Sequence, residues 1–111
     1  MMNTAEKIAA IVNEIHTYLV TEFVLDSASP SMIKYKGSDI EVAKTICDLA
    51  LRLHDIALNG EPSVVLSPFH KREITYYNGL LISAASTLPE NIKNRLAMCV
   101  YNGVPFAMND N

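Results

Sequence analysis

Four glycines, scattered singly along 111 residues, leave no glycine-rich loop of the kind that cradles phosphates. Two cysteines are too few for a zinc quartet, and no HExxH sequence supplies the alternative ligand set. Charged residues make up only 19% of the chain. The net charge of −3 is too small for a DNA mimic and has the wrong sign for a general nucleic-acid binder. No apolar run approaches the ~18 residues that span a bilayer. Glu6, Lys7, Glu14 and His16 break up the N-terminal apolar stretch, so no secretory leader is expected there. Internal repeats and low-complexity segments are also missing. A membrane protein and a disulfide scaffold are therefore not expected, and nucleic acid is an unlikely partner.

Hydrophobic residues, in contrast, make up 50% of the chain. A single domain of this length buries about two-thirds of its unfolded surface. Some of that apolar surplus should stay outside a monomer's core, and symmetric self-association is the common way to cover it. A homo-oligomer is thus expected. Cys47 and Cys99 fall on or near apolar helix faces in a chain with no recognised leader, which reads as two reduced, buried thiols in a cytoplasmic protein.

The hydrophobic periodicity predicts an all-α fold, a compact four-helix bundle or array filling residues 1–111 as one domain. Ile8, Ile11, Val12, Ile15, Leu19 and Phe23 recur at three- and four-residue steps, giving a helix over about 4–24 with Asn3 and Glu6 as a capping box. The Ser-, Pro- and Gly-containing stretch 26–37 reads as a loop. Its residues 32–36 are candidates for a minor two-stranded patch with Val64–Leu66. Ser38 with Glu41 caps a second helix over 38–59, closed by Gly60. One apolar row there is Val42, Ile46, Leu49, Leu53 and Ile56; a second is Ala43, Cys47, Ala50 and Ala57. A helix this apolar should lie at the centre of the fold or against a partner. Helices over 68–86 and 89–102 follow, the last ended by Asn102–Gly103, with a frayed tail at 104–111.

Catalytic constellations are sparse. Asn13 and Leu51 stand where a di-iron bundle would need a Glu three residues before His16 and His54. His54 and Asp55 point about 100° apart on a helix and do not orient one another. Ser67 precedes a proline and lacks the G-x-S-x-G elbow. No catalytic residue, metal or cofactor is expected, and the chain is not expected to be an enzyme.

Basic residues carry the one lead. Six of the nine lysines and arginines fall in pairs: Lys34 with Lys36, Lys71 with Arg72, and Lys93 with Arg95. The second pair follows Ser67, Pro68 and His70 in the first turn of the third helix, where acidic residues would suit the helix dipole better. Unpaired backbone N–H groups at a helix start receive anions. Ser67, His70, Lys71 and Arg72, with Lys34 and Lys36, are therefore the candidate anion-binding residues, and Lys93 with Arg95 is a second cluster. Three readings follow. The first is an inhibitor-type regulatory protein that occupies a protein partner. The second is a binder of a phosphate-bearing, nucleotide-like small molecule. The third is a helix-turn-helix in which Asn91, Lys93, Asn94 and Arg95 face DNA.

Overall fold

A computed structural model of the chain describes residues 4–26, 29–35, 37–59 and 68–108. The elements run α1 (Thr4–Glu22), β1 (Phe23–Asp26), β2 (Ser29–Tyr35), α2 (Asp39–Asn59), α3 (Pro68–Ala85) and α4 (Glu90–Asn102). The fold is all-α, with one antiparallel hairpin between α1 and α2.

Ile8, Ile11 and Ile15 of α1 are fully or almost fully buried, as their spacing requires. The helix stops at Glu22, two residues before the expected end, and Phe23 opens β1 instead. Val20, Thr21 and Val24 are β-branched and favour extended backbone over another helical turn. The stretch expected as a loop becomes β2, which pairs Tyr35 with Phe23, Lys34 with Val24 and Ile33 with Leu25 before the register shifts at Asp26. Among the described residues the partner of β2 is thus β1. Val64–Leu66, the partner expected from sequence, lies outside the described residues, as do the Asn3 and Gly60 caps.

At the start of α2 the expected cap is present: the Glu41 backbone N–H donates to the Ser38 hydroxyl at 3.2 Å. Both apolar rows of α2 are buried, with Val42, Ile46, Leu49 and Leu53 in one and Ala43, Cys47 and Ala50 in the other. This helix packs against α1, α3 and α4, so it is the centre of the fold. The α1 and α3 helices pack on each other. The molecule measures 45 × 37 × 21 Å. Its shortest dimension is about two helix diameters, so it is a slab of two layers.

The α4 helix starts after Pro89, the N-cap residue. It ends in a Schellman motif: Gly103 adopts φ 68° and ψ 32°, its N–H donates to Val100 O, and the Val104 N–H donates to Cys99 O at 3.0 Å. Of the tail expected to fray over 104–111, residues 104–108 are held against the fold, and 109–111 lie outside the described residues. Phe106 is only 6% exposed and joins the core, Val104 O accepts the Cys47 thiol at 3.4 Å, and Ala107 O accepts Arg95 Nε at 2.7 Å. Pro105 blocks further helix, but the aromatic ring beyond it finds an apolar seat, and that outweighs the entropy of a loose end.

Replacing Phe106 by Ala should lower the unfolding free energy by about 3 kcal/mol, as for other buried aromatic truncations. Chemical denaturation checks this, and a loss under about 0.5 kcal/mol, the usual range for surface changes, would show a tail that adds nothing. Gly79 sits exposed inside α3, and a Cβ there would meet nothing within 4 Å. Gly79→Ala should therefore raise stability by roughly 0.5–1 kcal/mol in the same assay.

Candidate functional site

The α4 helix packs on α2 but makes no comparable contact with α1 or α3. Between α4 on one side and α1 with α3 on the other lies an open groove of about 1270 Å³, with α2 as its floor. Ile46, Ala50 and Leu51 line the floor, Ile11, Leu81 and Ile82 one wall, and Leu96, Ala97 and Val100 the other. Two large side chains on these walls remain in water: Ile82 is 63% exposed and Tyr101 87%. Polar groups are fewer and include Lys7, Arg52, His54, Asp55, Asn78 and Lys93. The hollow thus has apolar walls and floor, with polar groups interspersed.

Several of its polar groups are already engaged by protein partners. Arg52 donates from both terminal nitrogens to the two carboxylate oxygens of Glu14, at 2.7 and 2.6 Å, and lies 3.4 Å from Asp48. The fork-to-carboxylate bond holds the Glu14 carboxyl below its ordinary pKa of 4.5, against a smaller opposing effect of burial. The same bond keeps Arg52 the more firmly protonated. His54 Nε2 meets Asn78 Oδ1 at 3.0 Å, tying α2 to α3 across the groove floor. His54 is therefore a half-buried interhelix link, whereas His16 lies exposed on α1.

Of the basic pairs read from sequence, the described residues include Lys34, Lys71, Arg72, Lys93 and Arg95. Lys71 and Arg72 are exposed in the first turn of α3, with His70 half-buried beside them. Among the described residues neither Lys71 nor Arg72 forms an ion pair. Lys93 bonds to Glu90 at 3.0 Å within the first turn of α4, and Arg95 is committed to the tail carbonyl of Ala107. The α3 helix is 18 residues long and its far end leads straight into α4. At 1.5 Å per residue, about 20 Å of helix lies between the Lys71–Arg72 turn and the C-terminal end of α3. Lys34 lies in β2 opposite Val24, and Lys36 and Ser67 lie outside the described residues.

Cys47 and Cys99 are free and buried. Burial, then the proximity of Cys99, pushes the Cys47 thiol above its ordinary pKa, which leaves it poorly nucleophilic at neutral pH. Among the described residues no group of three or more His, Cys, Asp or Glu could hold a metal ion. Within the same residues no helix is long and apolar enough to cross a membrane.

The helical pattern marked part of the groove lining but not its exposed side chains. Ile82 and Tyr101 fall outside the buried stripes of α3 and α4, and an isolated apolar side chain on a polar face is ordinary in any one sequence. Compared with known proteins, the chain matches no family model, no curated protein and no solved structure.

Because the pair is half-exposed, a double-mutant cycle on Glu14 and Arg52 should give a coupling of about 0.5–1 kcal/mol. The folded-state pKa of Glu14 is lowered, so that coupling is complete above pH 4.5 and fades as pH falls through the lowered value. A coupling that persisted unchanged in strong acid would contradict the assignment.

Proposed function

We propose that this chain is a small, cytoplasmic, non-enzymatic protein-binding module of the regulatory or inhibitor type, and that its docking surface is the groove between α4 and the α1–α3 pair. The observation that carries the reading is the groove itself, an apolar channel whose rim holds Ile82 and Tyr101 in water. A cylinder ~10 Å wide advancing 1.5 Å per residue fills a comparable volume in about three turns, so one helix of a partner fits it. Support for a non-enzymatic role comes from the engaged state of the polar residues around it. Arg52, His54 and Lys93 already hold protein partners, and the buried Cys47 thiol has a raised pKa. Self-association belongs to the same reading, since an exposed apolar channel is the surface a homo-oligomer would cover.

Ala97 is exposed on the groove wall, so Ala97→Arg should fill the channel without disturbing the core. Affinity capture from the native host should recover one stoichiometric protein, its own copies included, with the wild-type chain and lose it with Ala97→Arg. Equal recovery by both chains rejects the groove as the docking surface.

A second reading keeps the α3 start as an anion site for a phosphate-bearing small molecule, supported by the exposed and ion-pair-free state of Lys71 and Arg72 among the described residues. Inorganic phosphate or ATP should then raise the melting temperature, and the paired change Lys71→Ala with Arg72→Ala should abolish the rise. A flat response across both ligands removes this reading. The DNA reading has less support, because Arg95 and Lys93 are held internally and α3 and α4 are splayed apart.

A further inference from the structure

The outward face of α3 carries two aromatic rings in water. Phe69 and Tyr76 are each 62% exposed, and Arg72 between them is exposed as well. Steps of three and four residues put all three on one stripe of the helix. Lys71, also exposed, flanks that stripe, and among the described residues neither cation forms an ion pair. Each ring is steadied by a half-buried neighbour. The Phe69 and His70 rings meet at 5.7 Å between centroids and 64° between planes, and those of Tyr76 and Tyr77 at 5.2 Å and 88°. A contact this steep occupies at most one flat face of a ring and leaves the other for a further partner. The same stripe continues to Gly79, which is exposed and where a Cβ would meet nothing within 4 Å. Neither a turn nor close packing requires glycine there, and it weakens the helix. Helical side chains lean toward the N-terminus, so any side chain at 79 would lean over the Tyr76 turn. Glycine keeps that side of the ring clear.

We propose that this face binds single-stranded nucleic acid, with bases stacked on Phe69 and Tyr76 and phosphates against Arg72 and Lys71. Open rings interleaved with unpaired cations supply both parts of sequence-tolerant strand binding, one for the bases and one for the backbone. The rings lie seven residues apart, about 10 Å along the helix axis. At ~3.4 Å per nucleotide of a stacked strand, that is about three nucleotide steps, so the footprint is short. The chain's net charge of −3 weighs against a long nucleic-acid footprint. A short strand responds mainly to charges within about a Debye length, ~8 Å at physiological salt. Within α3 the only acid is Glu73, and none stands in the first turn. The exposed stripe of a single helix is convex, which suits a chain lying along it better than a small ligand, whose sites are concave. Two rings and two cations are also a weak hold on a lipid surface, where stable attachment takes an acyl chain or a longer basic segment. The proposal adds a ligand to the protein-docking reading. It shares Lys71 and Arg72 with the phosphate-ligand reading but stands on the two rings.

Fluorescence anisotropy of a labelled thymidine oligonucleotide of about ten nucleotides, titrated with the full chain at low salt, tests this. Binding is expected, and its log–log salt slope should be about −1.4, the value for two neutralised phosphates on a single strand. Phe69→Ala and Tyr76→Ala should each weaken binding by about tenfold and leave that slope unchanged, whereas Tyr76→Phe should bind like the wild type. The paired change Lys71→Ala with Arg72→Ala should flatten the slope toward zero. Gly79→Gln should keep the fold and weaken binding, because the new side chain crowds the Tyr76 ring. All of these positions are exposed, so the circular dichroism spectra should match that of the wild type. A duplex should bind about tenfold more weakly than the single strand, since its bases are not free to stack on the rings. Absence of binding at low salt overturns the proposal. Binding that the ring substitutions leave untouched also overturns it and leaves only the phosphate-ligand reading. Equal affinity for polyglutamate, or binding to phosphatidylserine vesicles in place of the oligonucleotide, overturns it as well. Ring-dependent binding of the oligonucleotide with no thermal shift from inorganic phosphate or ATP supports it while removing the phosphate-ligand reading.

Discussion

The structure depends on the burial of α2. Nearly all of that helix's circumference is apolar, and covering it takes three other helices at once. Val42, Ile46, Leu49 and Leu53 face one set of neighbours, while Ala43, Cys47 and Ala50 face another. At roughly 25 cal/mol per Å² of apolar surface removed from water, burying these side chains drives the fold more than any single polar bond in it. The small residues of the second row let neighbouring helices approach closely. The C-terminal tail completes the cover, with Phe106 seated in the core and Val104 O accepting the Cys47 thiol. A central helix served by only three others and a tail cannot be enclosed evenly, and the groove is the sector left open.

The polar residues around that open sector show how the fold handles charge. Arg52 bridges α2 to Glu14 on α1 and also approaches Asp48 on its own helix. His54 fastens α2 to α3 through Asn78. Both links lie beside the groove floor and tie α2 to the α1–α3 wall without adding apolar cover. Arg95 performs a comparable task at the other edge by holding the Ala107 carbonyl, which keeps the tail folded back. Arg95, a candidate anion-binding residue in the sequence, thus acts as a brace. Lys71 and Arg72, at the far end of α3, stand apart from this network.

Much of the helical framework was legible residue by residue. The Ile8–Ile11–Ile15 spacing, the Ser38 cap and the Asn102–Gly103 stop each express a local rule: helical period, an unpaired N–H seeking an oxygen, and glycine's tolerance of positive φ. The hairpin was less legible, because Phe23 continues the helical stripe of α1 while Val20, Thr21 and Val24 favour extension, and pairing with the adjacent strand settles the contest. The tail was misread for a related reason. Asn102, Gly103 and Pro105 end a helix, but they do not show whether the chain beyond then finds a surface.

From the sequence alone came the four helices, the wide apolar surface of α2 and the buried thiols, because each follows from which side chains avoid water along one helix. Only the tertiary structure decided that α4 diverges from α1 and α3, that Tyr101 and Ile82 flank a hollow, and that Lys93 and Arg95 are already engaged. Those outcomes depend on distances between segments far apart in the chain, and helical periodicity carries no information about them.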